Sequence, residues 1–123
     1  PTFAITGSDG KSTTTTITSK LLEPAGKTIL GGNIGAPLLP QVEEMTATDI
    51  AVVELSSFQL MTLGRSPSIS AVTSISENHL DYHNGINEYL DAKCNIFSKY
   101  FDKIFKAFFA VFQKLKHISF SKF

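Results

Sequence analysis

Cysteine is almost missing from this chain: Cys94 is the single one in 123 residues. That excludes an internal disulfide and fits a reducing cytoplasm, where the ordinary role of such a residue is a small buried apolar side chain. No stretch approaches the roughly 18 to 20 apolar residues that cross a bilayer, and the start lacks the basic-then-apolar order of a secretory signal, so a soluble protein is expected. Charge of one sign is not in excess either. Eleven basic side chains balance eleven acidic ones, which removes any global reason to expect a nucleic acid partner. There is no internal repeat.

The length suits one small α/β unit with a core of its own. The balance of charge hides an asymmetry, however. Residues 1–97 carry five basic side chains (Lys11, Lys20, Lys27, Arg65, Lys93) against ten acidic ones, whereas residues 98–123 carry six lysines against Asp102 alone and hold seven of the ten phenylalanines. The chain opens at Pro1 and enters an apolar run within two residues, which reads as a piece of something longer.

Along residues 1–97 strands alternate with helices, the pattern of a mostly parallel sheet flanked by helices. Phe3-Ala4-Ile5 reads as a buried strand that ends in the turn Thr6-Gly7-Ser8-Asp9-Gly10, and Ser12 to Leu22 reads as a helix closed by Pro24 and Gly26. Thr28-Ile29-Leu30 is the next expected strand, followed by the loop Gly31-Gly32-Asn33-Ile34-Gly35. A short helix is expected over Leu38 to Met45, and Ile50 to Val53 is a β-favouring run that delivers Glu54 at its end. Ile69 to Thr73 makes a further strand, and a helix begins at Ile86 with Tyr89, Leu90 and Lys93 on one side. Ligands of open parallel sheets gather beyond the carboxyl ends of the strands, so Glu54 and the Thr6–Gly10 turn are expected at one crevice.

The densest chemistry lies in Thr6-Gly7-Ser8-Asp9-Gly10-Lys11-Ser12-Thr13. Between a strand and a helix, small residues let successive backbone N–H groups turn toward a polyphosphate, and the helix start adds partial positive charge. Lys11 would lie along the β- and γ-phosphates and the Ser12 hydroxyl would ligate Mg²⁺. Thr13 is a further phosphate donor, while Thr14, Thr15 and Thr16 read as helix filler. The full phosphate-loop pattern would place a glycine where Ile5 stands. An ordinary glycine turn before Lys-Ser is the competing interpretation. Glu54 is placed to bind the nucleotide's magnesium through hard carboxylate oxygen, or is a solvated loop glutamate.

The compact TG-x-x-GK-[ST]-T loop resembles the ATP loop of the Mur ligase and folylpolyglutamate synthetase superfamily. Further resemblance runs through Gly31-Gly32-Asn33-Ile34-Gly35, Glu54-Leu55-Ser56-Ser57-Phe58-Gln59-Leu60, Glu77-Asn78-His79-Leu80-Asp81 and Asp91-Ala92-Lys93-Cys94. The ELSSFQL string looks like the branch of the Mur ligase family that adds D-glutamate, which argues against a folylpolyglutamate-type ligase. The resemblance covers about Thr2 to Phe97.

That resemblance implies a set of roles. Gly7, Ser8, Asp9, Gly10, Lys11, Ser12 and Thr13 would hold ATP. His79 would bind a second Mg²⁺, and Lys93 would be the lysine that CO₂ carbamylates into an anionic metal ligand; without the resemblance, His79 reads as a structural histidine and Lys93 as an exposed lysine pairing with Glu88 or Asp91. Asn33 would contact substrate, with Ser56 and Gln59 lining the same crevice or serving as loop and helix-cap residues. His83 and His117 have no such support and are expected at the surface. The implied reaction activates the carboxylate of UDP-N-acetylmuramoyl-L-alanine as an acyl phosphate and joins it to D-glutamate, in cytoplasmic peptidoglycan synthesis. Domains that would grip the UDP group and present the amino acid have no counterpart in this sequence.

Residues 98–123 match nothing in the resemblance. Phe101, Ile104, Phe105, Phe108, Phe112 and Leu115 keep helical spacing, which suits an amphipathic helix covering the sheet. A basic amphipathic segment is also suited to an anionic membrane or a partner protein, in which case the whole chain would be a non-catalytic nucleotide-binding module.

Overall fold

The computed structural model describes residues 1–76, 83 and 85–97. Four strands, β1 (Thr2–Thr6), β2 (Thr28–Gly32), β3 (Ile50–Glu54) and β4 (Ile69–Val72), form one sheet in the order β2-β3-β1-β4. All three pairings are parallel, as the alternation of strands and helices requires. β3 is buried at every position, which explains its unbroken run of Ile, Ala and Val where a half-exposed strand would alternate.

Helices cover both faces. α1 (Lys11–Leu22) lies on one, where Leu22 packs against the cluster of Ile5, Ile50 and Val52. On the other, α3 (Ser57–Met61) and α4 (Ile86–Cys94) bring Leu60 and the following Ile96 onto Ala4. Neighbouring residues of β1 thus serve opposite cores, the consequence of a side-chain period of two. A 3-10 turn at Glu23–Ala25 ends α1 at Pro24, as expected.

The structure departs from expectation at three elements. The helix anticipated over Leu38 to Met45 is only four residues long, α2 (Leu39–Val42). α3 is a helix that periodicity alone does not announce, because five residues are too few to show a stripe. α1 turns its threonine and serine side, Thr15 and Ser19, to the sheet and leaves Ile17 and Leu21 exposed. Thr15 is therefore not filler: it is fully buried, and its hydroxyl donates to the Lys11 carbonyl oxygen at 2.7 Å.

Strand register places the site. Glu54 pairs with both Ile5 and Gly32, and Thr6 pairs with Val72, so the strands end together along one rim. Two glycines make this rim possible. Gly32 has φ 98°, and a β-carbon there would collide with the Glu54 carbonyl oxygen and with Val53. Gly7 has φ 151° and passes so close to Thr73 that no side chain fits.

Candidate functional site

α1 begins directly after the turn, with Gly10 in the left-handed conformation before Lys11 (φ 77°) and no side chain capping the helix start. The first N–H groups of α1 thus lack a capping acceptor, which is the condition for receiving an anion. Thr73 and Ser74, just past β4, hold the turn from the side: the Ser8 amide donates to the Ser74 carbonyl (2.9 Å), and Thr73 Oγ1 donates to the Asp9 carbonyl (2.5 Å). Lys11 folds back so that Nζ donates to the Ser8 carbonyl at 2.9 Å. Thr13 is exposed in the first turn of α1.

Glu54 reaches this loop from the end of β3. Its Oε2 accepts from Ser12 Oγ at 2.7 Å and its Oε1 from Asn33 Nδ2 at 3.1 Å. Asn33 is itself held by its backbone amide, which donates to the Glu54 carbonyl at 2.9 Å. Glu54 is 1 % exposed, so the interpretation as a solvated loop glutamate fails. Among the described residues no basic side chain pairs with it. A buried carboxylate held only by neutral donors, with a serine hydroxyl beside it, is a donor set that fits a hard divalent cation. No group of three or more His, Cys, Asp or Glu side chains that could hold a metal occurs among the described residues.

Lys93 approaches the loop from the opposite face, on α4. It is 2 % exposed, and Nζ donates to the Gly7 carbonyl at 2.9 Å and to Thr6 Oγ1 at 3.4 Å. The alternative of an exposed helical lysine paired with Glu88 or Asp91 therefore fails: α4 turns this position inward, with Tyr89 and Ala92. The amine lies 4.6 Å from the centre of the Tyr89 ring. Burial, and secondarily the charge of Lys11, lower its pKa from 10.5 to about 8.

A cavity of about 240 Å³ opens between these groups, lined by Gly7, Lys11, Asn33, Ser56, Tyr89 and Lys93 among others. Lys11, Asn33 and Lys93 face one space, and Glu54 joins them from behind through its bonds to Asn33 and Ser12. Ser56 lines the cavity and also caps α3: its hydroxyl accepts from the Gln59 amide at 3.3 Å while its own amide donates to Gln59 Oε1 at 2.8 Å. Gln59 is engaged in this box and does not line the cavity. The Ser-x-x-Gln spacing was the signal from which α3 could have been read.

His79 and His117 lie outside the described residues. His83 is not at the surface as expected but 5 % exposed, because Ser57 and Glu88 satisfy its two nitrogens and Phe58 and Tyr89 pack on its ring. Sequence reasoning missed Ser57 and Tyr89 as cavity residues. Cys94 is buried, as anticipated.

No helix among the described residues is long and apolar enough to cross a membrane. Residues 5–118 match the profile of the Mur ligase middle domain. The chain is 56 % identical over 96 residues to a UDP-N-acetylmuramoylalanine–D-glutamate ligase of Ruminiclostridium cellulolyticum and 57 % identical over 96 residues to that of Clostridium botulinum. To the one from Clostridium acetobutylicum it is 53 % identical over 97 residues. In the first two the match takes in 77 % of this chain and 21 % of the relative, so the chain spans about a fifth of the length of those relatives. A parallel sheet whose glycine turn, lysine and glutamate converge at one rim, together with a profile match over most of the sequence, has one consequence: the chain belongs to the Mur ligase middle-domain family.

Proposed function

We propose that this chain supplies the nucleotide-binding part of an ATP-dependent ligase that joins D-glutamate to UDP-N-acetylmuramoyl-L-alanine in the cytoplasm, for peptidoglycan synthesis. The observation that carries the nucleotide reading is the 2.7 Å contact between Ser12 and Glu54 at the head of a glycine-loop helix, with Lys11 beside it. The substrates rest on similarity to relatives that carry this activity in their names.

In this reading the backbone of Gly7 to Thr13 cradles the phosphates, and Lys11 leaves the Ser8 carbonyl to neutralise them. Ser12 and Glu54 would hold Mg²⁺, which would offset phosphate charge. The substrate carboxylate is phosphorylated by ATP, and the amine of D-glutamate displaces the phosphate from the resulting acyl phosphate. Little covalent help is needed from the protein, so alignment and charge complementarity are its main contributions. Asn33 and Ser56, which line the cavity, are assigned to the substrate side, with Gln59 behind them as the partner that holds Ser56.

Lys93 and His79 are assigned to a second Mg²⁺, Lys93 as its carbamate. As an ammonium, Lys93 is the wrong sign for a metal ligand; as a carbamate it offers two anionic oxygens. Carbamylation needs the neutral amine. With a pKa of about 8, about a quarter of Lys93 is neutral at pH 7.5, against about 0.1 % for a lysine at 10.5. Burial thus raises the share of neutral amine that CO₂ can meet.

The nucleotide-binding unit is assigned to residues 1–97, with 98–123 a separate Phe- and Lys-rich segment set apart by composition, although the family profile itself runs on to residue 118. Calorimetric titration of Mg-ATP into the chain tests the nucleotide reading: weak binding that disappears with EDTA is expected, and no binding at millimolar nucleotide would refute it. For the substrates, residues 1–97 are exchanged for the matching segment of the Clostridium botulinum relative. Phosphate release by that chimaera should require both UDP-N-acetylmuramoyl-L-alanine and D-glutamate. A chimaera that folds but releases no phosphate with both substrates present would remove the ligase assignment.

A further inference from the structure

His83 is held on four sides. Its Nε2 shares a 3.0 Å hydrogen bond with Ser57 Oγ, in the first turn of α3, and its Nδ1 lies 3.3 Å from Glu88 Oε1, in the first turn of α4. Phe58 stacks on one face with centroids 5.1 Å apart and planes within 13°. Tyr89 meets the ring edge-on at 5.3 Å and 66°. The ring therefore ties the two helices that wall the cavity.

Tyr89 carries the connection onward. It is 1 % exposed, and its hydroxyl is 2.8 Å from Ser8 Oγ. Ser8 Oγ also donates to the Ser76 carbonyl at 3.1 Å and accepts from the Ser76 amide at 2.9 Å. Since the one hydroxyl hydrogen of Ser8 goes to Ser76, the Tyr89 hydroxyl must be the donor to Ser8. Where Tyr89 stands thus fixes where Ser8 stands, and the Ser8 carbonyl is the acceptor of Lys11. The same ring lies under the Lys93 amine.

We propose that His83 is a positioning residue for the phosphate loop: by bridging Ser57 and Glu88 it holds Tyr89 where the tyrosine hydroxyl orders Ser8 and, through Ser8, the turn that would receive the nucleotide. This deepens the nucleotide reading and rests on it for its purpose, although the order imposed on Ser8 is a property of the chain alone. A phenylalanine at this position keeps an aromatic ring able to stack, in a somewhat larger volume, while removing both hydrogen bonds, so it separates bridging from packing.

The test compares the 123-residue chain with His83→Phe and His83→Gln, following amide hydrogen exchange at Ser8 and Ser76 without nucleotide and Mg-ATP binding in a second arm. His83→Phe is expected to speed exchange at Ser8 and Ser76 about tenfold while Val52 and Val53 in β3 keep their rates. His83→Gln, which still offers a hydrogen-bonding amide, should restore part of the protection, and Mg-ATP affinity should follow the same order. Parent-like rates at Ser8 and Ser76 in His83→Phe, or equal acceleration throughout β3, would overturn the proposal. Should His83→Phe not fold, Ser57→Ala breaks one link and leaves the ring in place; the same local acceleration is expected, and unchanged rates would overturn it. A parent chain that fails to bind Mg-ATP sinks the nucleotide reading, while the exchange arm still decides what His83 does.

Discussion

The rim of the sheet and the outer faces of its helices reverse the usual distribution of polarity. At the rim, Thr6, Ser8, Glu54, Ser57, His83 and Lys93 are buried; on the helices, Ile17, Leu21, Leu39, Val42 and Met61 are at least half exposed. No buried polar side-chain atom among the described residues lacks a hydrogen-bond partner. Burying these groups costs desolvation that hydrogen bonds only partly offset, whereas the exposed apolar side chains gain little in this chain. Burial here follows the chemistry of the site more closely than it follows hydrophobicity.

Disturbing the rim through its backbone should have the largest effect. In Gly32→Ala a β-carbon meets the Glu54 carbonyl and Val53, and φ 98° is strained for alanine. Strain and overpacking together should remove about 3–5 kcal/mol, a large part of the stability of a small domain. Urea denaturation measures it; a loss below about 1 kcal/mol would mean that β2 and β3 yield more easily than their register suggests.

Next in size is the loss of charge at the nucleotide site. Lys11→Met and Glu54→Gln should each weaken Mg-ATP about 100-fold by calorimetry, the scale of one charge-assisted contact. Their melting temperatures should stay close to that of the parent for Lys11→Met, whose amine reaches only the Ser8 carbonyl. Equal affinity in Lys11→Met would move the phosphates elsewhere.

The contrast between rim and outer faces also divides what the sequence discloses. All four strands, α1, α4 and the convergence of Lys11, Ser12 and Glu54 follow from apolar runs, glycine turns and the rule that ligands collect at strand ends. Inward placement of Lys93 does not follow, because a lysine two residues from an aspartate on a helix has the same pattern whether its face is wet or dry. His83 was misjudged for a similar reason: its partners Ser57 and Glu88 are 26 and 5 residues away, and neither separation forms a motif. The orientation of α1 was hidden by its composition, since threonine and serine allow close approach to a sheet as well as they tolerate water.

A smaller effect is expected from Lys93→Met, and its sign depends on pH. The folded chain sheds the Lys93 proton near pH 8, whereas the unfolded chain keeps it to about 10.5. Between those values the unfolded state binds more protons, so the parent gains stability as pH rises. Below pH 8 the buried ammonium is a constant burden that methionine removes. In CO₂-free buffer Lys93→Met should therefore be more stable at pH 7 by on the order of 1 kcal/mol, the lost bonds to Gly7 and Thr6 offsetting part of the gain. That advantage should shrink as pH rises from 8 to 10.5. Thermal melts across pH 7 to 10 check it, and a constant difference would mean that burial does not shift Lys93.

The smallest effect probes the other side of the contrast. Ile17 and Leu21 are 52 % and 74 % exposed and lie one turn apart on α1, on the side away from Thr15 and Ser19. Lysine has nearly the helix propensity of leucine and exceeds isoleucine, and the water these side chains already meet leaves little transfer energy to lose. Ile17→Lys with Leu21→Lys should change stability by no more than about 0.5 kcal/mol in urea and leave Mg-ATP binding untouched, since Thr15 and Ser19 still hold α1 to the sheet. Thr15→Val on the opposite side should cost more, because the hydroxyl that donates to the Lys11 carbonyl is lost from a fully buried position. If the double lysine variant were the more damaging of the two, the outward face of α1 would be part of a packed surface and the reversal of polarity would be confined to the rim.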